Sequence, residues 1–251
     1  MGRAPIGLVT GASAGIGRAC AARFLREGAR VVVAGRRAER LIALQAEFGE
    51  RVHPLVLDVR DASAVAAAIS GLPEEFREIE VLVNSAGLAL GTGAVLSSDP
   101  ADWTVMIDTN IRGLLHVVRA VLPGMVERDR GHIFNLGSVA GSYPSGGVIY
   151  GCTNSFVNHF SLTLRRELLG RRVRVTSVEP GRVDTEFGLV RFKGDADRVQ
   201  ETERELRGLV AEEVAEAMIC CWHLPASANV NRLEIMPVGQ AAGPFGYAYM
   251  A

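Results

Sequence analysis

A glycine-rich stretch, TGASAGIG at residues 10–17, lies between an apolar run at residues 6–9 and a helical pattern at residues 16–27. This order of strand, turn and helix brings the positive end of a helix next to a tight turn, where a pyrophosphate can approach backbone N–H groups. Such a turn needs residues without a Cβ atom, and the stretch supplies Gly11, Gly15 and Gly17. Their spacing, G-x-x-x-G-x-G, differs from the usual fingerprint G-x-G-x-x-G. The stretch predicts a dinucleotide site, and the alternative is a plain glycine loop.

The composition is that of one globular domain without a strong electrostatic bias. The chain has 251 residues, of which 48% are hydrophobic and 22% charged, and its formal net charge is -1. This balance gives no long-range attraction to nucleic acid or acidic membranes. No apolar run approaches the ~18 residues of a membrane helix, and no signal-peptide pattern precedes the first strand. We therefore expect a cytoplasmic enzyme with a small-molecule substrate, no nucleic-acid partner and no membrane partner.

The cysteines give no sign of a disulfide framework or a metal site. Cys20, Cys152, Cys220 and Cys221 show neither CxxC nor metal-ligand spacing, and the adjacent pair is poorly placed to bridge itself. We expect reduced thiols and no bound metal.

Short apolar runs alternate with helical patterns along the chain. The predicted strands cover residues 6–9, 30–34, 52–59, 81–87, 132–138, 173–179 and 233–236. The longest predicted helix, at residues 99–122, ends before Pro123-Gly124. Alternation of this kind is typical of an α/β fold with a doubly wound parallel sheet, Rossmann-like, with helices on both faces. We predict a single dinucleotide-binding domain over residues 1–251.

The second predicted strand leads into Gly35-Arg36-Arg37. The dinucleotide fold places an acid here to hold the ribose of NAD, and that carboxylate would repel a 2′-phosphate. This chain has two guanidinium groups instead, which favour a phosphate. The sequence therefore favours NADP over NAD, and the alternative is that Arg36 and Arg37 form a solvated helix start.

Further motifs follow the glycine turn in order. They are N-S-A-G at residues 84–87, N-x-x-G at 110–113, Ser138, Y-x-x-x-N at 150–154, and P-G-x-V-x-T at 180–185. Together with T-G-x-x-x-G-I-G they resemble the short-chain dehydrogenase/reductase family, over essentially residues 6–236. The resemblance implies an NADP-dependent oxidoreductase that transfers a hydride between the nicotinamide and a small alcohol or carbonyl substrate.

The same resemblance assigns cofactor contacts to residues along the whole chain. They are Gly11, Ser13, Gly15, Ile16, Gly17, Arg36, Arg37, Asp58, Val59, Asn84, Ala86, Gly87, Tyr150, Asn154, Pro180, Gly181, Val183 and Thr185. Besides Arg36 and Arg37, two more of these residues have structural alternatives. Asp58 could cap the next helix, and Asn84 could brace neighbouring strands.

The resemblance also implies a catalytic group in which Tyr150 exchanges a proton, Ser138 holds the substrate oxygen and Asn110 holds a water of the proton relay. Asn110 could instead be a structural amide, because a buried amide without partners costs about 1–3 kcal/mol. Where the family has a lysine one helical turn after the tyrosine, this chain has Asn154. Asn154 lies on the same helix face and keeps an amide for the ribose, but it brings no charge. We expect weak turnover at neutral pH.

Two segments bear on the substrate. RFKGD at residues 191–195 and LEIMPVGQ at 233–240 resemble a branch of the family that acts on small 3-hydroxy acids such as serine, or on sulfonated aldehydes. An anionic substrate would need a cation, and Arg182, Arg191 and Lys193 are candidates; plain surface charge is the alternative. The polar region 187–210 is expected to form a substrate lid.

The C-terminal segment 237–251 has no charged residue but contains Phe245, Tyr247, Tyr249 and Met250. Soluble proteins tend to cover such apolar segments, so we expect it to pack on a neighbouring subunit in a homodimer or homotetramer. A second hypothesis for function stays open because of Asn154. The chain could be a catalytically impaired NADP-binding protein with a sensing or assembly role.

Overall fold

The structure is a computed structural model that describes residues 3–144, 147–203 and 207–242. Its centre is a seven-stranded sheet in the order β3-β2-β1-β4-β5-β6-β9, and every neighbouring pair is parallel. The strands are β1 Ile6–Thr10, β2 Arg30–Gly35, β3 Val52–Val56, β4 Val81–Asn84, β5 Gly131–Leu136, β6 Val173–Pro180 and β9 Arg232–Ile235. A separate two-stranded sheet pairs β7 Val183–Asp184 with β8 Leu209–Val210.

Helices connect the strands. They are α1 Gly15–Arg26, α2 Ala38–Phe48, α3 Ala62–Ser70, α4 Glu74–Arg77, α5 Pro100–Ile107, α6 Leu114–Glu127, α7 Val148–Glu167, α8 Phe187–Arg191, α9 Ala196–Glu203 and α10 Ala211–His223. One core cluster joins α1, α2 and α10 to one face of the sheet through residues such as Phe24, Leu41 and Met218. The other joins α3, α6 and α7 to the opposite face through Val65, Val121 and Val157. The expected doubly wound sheet is confirmed.

The order of the strands fixes where a ligand can bind. The chain runs outward from β1 through β2 to β3, and then returns to the other side of β1 to form β4. In open parallel sheets, a crevice lies at the carboxyl ends of the strands where the strand order reverses. Here that crevice lies between β1 and β4, directly at the glycine turn.

The prediction that a helix ends before Pro123 is wrong. The helical segment starting at Pro100 changes to a π-helical turn at Asp108–Gly113 and continues as α6 through Pro123 to Glu127. Proline removes one backbone hydrogen bond from a helix interior, at a cost of about 3 kcal/mol. The last turn of α6 offsets that cost because it buries Met125 completely, in a space that Gly131 keeps open.

Three predicted strands are shorter than expected. β3 ends at Val56, β4 at Asn84 and β5 at Leu136. The residues that follow each strand therefore lie in loops at the carboxyl edge of the sheet, where the candidate site residues are.

The segment from residue 187 to 210 contains α8, α9 and β8, and β8 pairs with β7. Its role as a lid stays a prediction. The expectation for the C-terminal tail falls on residues 243–251, which lie outside the described residues. Across the described ranges, no helix combines the length and the apolar character needed to cross a membrane.

Candidate active site

The glycine turn joins the end of β1 to the start of α1. Gly11 and Gly15 adopt positive φ angles of 67° and 50°, which favour glycine. A Cβ atom at Gly17 would overlap the carbonyl oxygen of Gly11, and one at Gly11 would lie 2.8 Å from Ser85 O. The residue before α1 is Ala14, whose side chain cannot cap the helix. The first N–H groups of α1 therefore point at a cradle that suits an anion.

Ser13 and Arg37 are neighbours across this turn. The Nε and Nη2 atoms of Arg37 donate to Ser13 Oγ at 3.0 and 2.9 Å. Arg37 also donates through Nη1 to Glu186 at 2.9 Å. Arg36, the preceding residue, is exposed.

Asp58 and Val59 lie in the loop after β3. Asp58 accepts hydrogen bonds from Arg60, which hold the pKa of its carboxyl below the ordinary value, with a smaller contribution from the charge of Arg36. The alternative that Asp58 caps the next helix is wrong, because Asp61 accepts from Ala64 N and caps α3. A cap has to precede the first turn directly, and Asp61 is the residue in that position.

The loop after β4 packs against the glycine turn. Thr10 Oγ1 accepts hydrogen bonds from the backbone N–H groups of Ser85 and Ala86, both at 3.1 Å. Asn84 is buried and donates to Asn135 Oδ1 at 2.8 Å, so its side chain braces β4 against β5. Gly87 lies at the amide of Asn110, whose Oδ1 would be 3.4 Å from a Cβ atom there.

Asn110 lies in the π-helical turn and is buried. Its Oδ1 accepts from Leu88 N at 2.9 Å, while its Nδ2 donates to Leu88 O at 2.8 Å and to Thr153 Oγ1 at 3.1 Å. The amide therefore ties the loop after β4 to α7. These bonds give Asn110 the structural role that its position in an apolar helix required, and a water in the relay stays a prediction.

Ser138 follows β5 and is buried. Its Oγ accepts from Ala140 N at 3.1 Å and donates to Pro180 O at 3.4 Å. The start of the P-G-x-V-x-T segment is therefore next to the candidate catalytic serine.

A network that sequence reasoning missed holds the Ser138 loop. Glu179, fully buried at the end of β6, accepts from Ser142 Oγ at 2.7 Å and pairs with Arg232 at 2.6 Å. Asn158 Nδ2 donates to Ser138 O and to Ser142 Oγ, both at 3.2 Å. The one signal in the sequence was a glutamate at the end of a predicted strand, because a carboxylate is costly to bury without a partner.

Tyr150 is half-buried in the first turn of α7. The ring of Phe187 lies 5.6 Å from its ring, and the guanidinium carbon of Arg191 lies 5.2 Å from its ring centroid. The Y-x-x-x-N motif contains no cation to replace the family's lysine, but α8 brings the guanidinium of Arg191 to the Tyr150 ring.

Asn154 is buried one helical turn beyond Tyr150, and its Nδ2 donates to the carbonyl oxygen of Tyr150 at 2.8 Å. One N–H of the amide is therefore used inside α7. Arg182, in the segment after β6, pairs with Asp184 at 3.1 Å.

The segment after β6 links these parts. Gly181 donates its N–H to Ile235 O, and Arg182 N donates to Gln240 Oε1 at 2.8 Å. Val183 forms β7, and Thr185 Oγ1 accepts from Phe187 N at 3.2 Å. The methyl group of Thr185 would lie 3.3 Å from a Cβ atom at Gly15. Residues 180–191 thus contact Ser138, the glycine turn and Tyr150.

A small pocket adjoins Tyr150 on the side of α5. It is lined mainly by apolar side chains and glycines: Leu90, Gly91, Gly93, Val95, Ser98, Trp103, Met106, Gly147, Val148 and Ile149. Three cations are candidates for an anionic substrate, and each of them has interactions within the protein. Lys193 pairs with Asp102 at 2.9 Å, Arg182 pairs with Asp184, and Arg191 lies at the tyrosine.

Comparison with known proteins identifies the family to which this geometry belongs. A family model described as short chain dehydrogenase matches residues 6–194. The chain belongs to this family. It is 51% identical over 236 residues to an NADP-dependent 3-hydroxy acid dehydrogenase of Salmonella typhi, covering 93% of this chain and 95% of the relative. It is 49% identical to sulfoacetaldehyde reductase 2 of Chromohalobacter salexigens, covering 95% and 96%.

A solved structure of similar shape supports the same assignment. The closed form of a serine dehydrogenase complexed with NADP+ superposes with a TM-score of 0.93 at 47% identity, covering 98% of this chain and 100% of that one. The family and fold expected from the motifs are confirmed for this short-chain dehydrogenase.

Proposed function

We propose that the protein is an NADP-dependent oxidoreductase that acts on a small 3-hydroxy acid or the corresponding carbonyl compound. The observation that carries the proposal is that residues 180–191 contact the glycine turn, Ser138 and Tyr150 together. Relatives at about half identity are named as NADP-dependent 3-hydroxy acid dehydrogenases. These enzyme names do not favour the alternative of a sensing or assembly protein without activity.

The residues of the turn fit a dinucleotide. Gly11, Gly15 and Gly17 have no Cβ atoms, which would collide with or crowd neighbouring protein atoms, so the turn can be tight enough to present its backbone amides to a pyrophosphate. Ser13, Arg36 and Arg37 are the candidates for a 2′-phosphate, Asp58 and Val59 for the adenine. Ile16, Asn84, Ala86, Gly87, Asn154, Pro180, Gly181, Val183 and Thr185 complete the proposed set around the ribose and the nicotinamide.

The proposed chemistry divides between cofactor and chain. When bound, the nicotinamide supplies or accepts the hydride. The hydroxyl of Tyr150 would exchange a proton with the substrate oxygen, and the hydroxyl of Ser138, whose bond to Pro180 O is long at 3.4 Å, would hold that oxygen. Asn110 bonds both to the loop that follows β4 and to α7. It therefore helps to fix the position of Tyr150 on α7.

The substrate proposal combines Arg191 with the apolar pocket. Arg191 offers a charge-assisted hydrogen bond to a carboxylate or sulfonate next to Tyr150. A small pocket lined mainly by apolar side chains and glycines also adjoins Tyr150. Segment 187–210 would cover both, as expected of a lid.

The test is a panel of substrates in pairs of equal size, an acid and its uncharged analogue, with NADP+ or NADPH. We expect oxidation of 3-hydroxy acids to exceed oxidation of uncharged alcohols. Faster turnover of the uncharged partners would reject the acid substrate, and no turnover across the panel and across pH would reject the enzyme.

We also propose a cytoplasmic homodimer or homotetramer. The four cysteines are free thiols, which is typical of a reducing compartment. The assembly rests on the uncharged composition of residues 237–251. Removal of residues 243–251 should lower the oligomeric state in sedimentation, and a full chain that sediments as a monomer at micromolar concentration would contradict it.

A further inference from the structure

The carboxylate of Glu186 lies at the cations that are proposed to bind the 2′-phosphate of NADP. Its oxygens accept from Arg37 Nη1 at 2.9 Å and from Arg40 Nη1 at 2.8 Å. Arg37 at the same time donates to Ser13 Oγ in the glycine turn. The two guanidinium groups and the serine hydroxyl thus surround one point beside the turn, and the carboxylate comes from the segment that leads into α8.

We propose that Glu186 is an internal competitor of the 2′-phosphate for Arg37 and Arg40, and that Arg40 is a further cation of the phosphate site. The inference rests on the proposed NADP dependence. If Glu186 competes in this way, Glu186 and Arg40 help to determine the choice between NADP and NAD. The motif at residues 35–37 contains neither residue.

The exchange of one anion for the other is physically accessible. The side chains of Arg37, Arg40 and Glu186 are 41%, 42% and 43% exposed, and ion pairs this exposed contribute little stability. Hydrogen bonds from Arg40 and Arg37 hold the pKa of the Glu186 carboxyl below its ordinary value, so the competitor is charged at neutral pH. A phosphate carries more charge and one more acceptor oxygen than a carboxylate. It can therefore displace Glu186, but part of its binding energy is spent on that displacement.

NADH and NADPH differ in this respect. NADH brings no anion to Arg37 and Arg40, so Glu186 stays paired while it binds. NADPH has to remove Glu186 first. Loss of the Glu186 charge should therefore help NADPH and leave NADH nearly unchanged.

The test is a fluorescence titration of the full chain with NADPH and with NADH. Glu186→Gln should tighten NADPH binding about three- to fivefold and change NADH binding less than about twofold. Arg40→Gln should weaken NADPH binding by a similar factor and leave NADH binding unchanged. Glu39→Gln is the matched control, because Glu39 is exposed on the first turn of α2 and forms no ion pair within the described ranges.

The outcomes separate this inference from the proposed function. A wild-type chain that binds NADPH better than NADH, with no tightening in Glu186→Gln, overturns the competition alone. Equal tightening of both cofactors, or the same gain in Glu39→Gln, also overturns it, since only general electrostatics would then be at work. A wild-type chain with equal affinity for both cofactors overturns the proposed NADP dependence and this inference with it.

Discussion

The guanidinium carbon of Arg191 lies 5.2 Å from the centre of the Tyr150 ring. The same cation is 5.1 Å from the ring of Phe187, which itself contacts Tyr150. An arginine is protonated at any working pH. The candidate catalytic phenol therefore has a permanent positive charge beside it, although position 154 carries none.

Arg191→Gln should lower turnover at neutral pH even for an uncharged alcohol. A guanidinium beside the proposed site would stabilise negative charge that develops on the substrate oxygen in the transition state. We therefore expect about a tenfold loss in kcat. Lys193→Gln, which removes a cation paired with Asp102, is the control. A rise in KM for acids alone, with an unchanged kcat for uncharged alcohols, would restrict Arg191 to substrate binding.

The sheet and the family could be predicted because their signals are local. A buried strand, a glycine turn and a helix follow one another within residues 6–27, and the same pattern recurs along the chain. The bracing role of Asn84 was one of the two alternatives that the sequence offered, and in the structure Asn84 donates to Asn135, its register partner on the adjacent parallel strand.

Arg36→Ala should weaken NADPH binding, because Arg36 is exposed and is one of the residues proposed to bind the 2′-phosphate. A charge-assisted hydrogen bond contributes about 1.5–3 kcal/mol. Because Arg36 is exposed, we expect a loss near the lower end of this range, which corresponds to about a tenfold rise in the Kd for NADPH. NADH, without the phosphate, should bind Arg36→Ala and wild type alike. Equal losses for both cofactors in a fluorescence titration would remove Arg36 from the phosphate site.

Contacts between distant segments could not be read from the sequence. Glu186 meets Arg37, and Arg191 meets Tyr150, because the chain folds back after β6 and forms the small β7–β8 sheet. No periodicity encodes that return. The end predicted at Pro123 failed for a similar reason, since the burial of Met125 depends on the sheet beneath it.

His132 on β5 is a buried titratable group far from this chemistry. Thr176 Oγ1 donates to Val230 O at 2.7 Å, so it accepts from His132 Nε2, 2.8 Å away. This assigns the neutral tautomer with the proton on Nε2. His132 Nδ1 is buried and has no hydrogen-bond partner within the described ranges. Burial, and then the charge of Arg174, lower the pKa of His132 well below its ordinary 6.5.

The depressed pKa of His132 should make the fold sensitive to acid. The unfolded chain takes up a proton near its ordinary pKa, while the folded chain resists it, so stability is complete above about pH 6.5 and falls as the pH falls below it. The slope approaches about 1.4 kcal/mol per pH unit. Denaturant unfolding from about pH 7 to pH 5 should show this slope in wild type and a smaller one in His132→Gln. His159→Gln, at an exposed position, is the control, and equal slopes in all three would contradict the assignment.

Asn154→Lys restores a cation one helical turn from Tyr150, and we expect it to raise turnover and move the pH–rate profile toward neutrality. The lost charge alone would predict a gain of roughly 10–10³-fold. Because Arg191 already lies over the ring, the gain should fall near the lower end, and it should be larger in the Arg191→Gln background, where the new lysine replaces the lost charge. Asn154→Met is the control, because methionine is similar in length to lysine but uncharged, so it separates the effect of charge from the effect of packing at this buried position. Ordinary wild-type turnover at neutral pH, with no effect of Asn154→Lys in either background, would show that neither cation activates Tyr150.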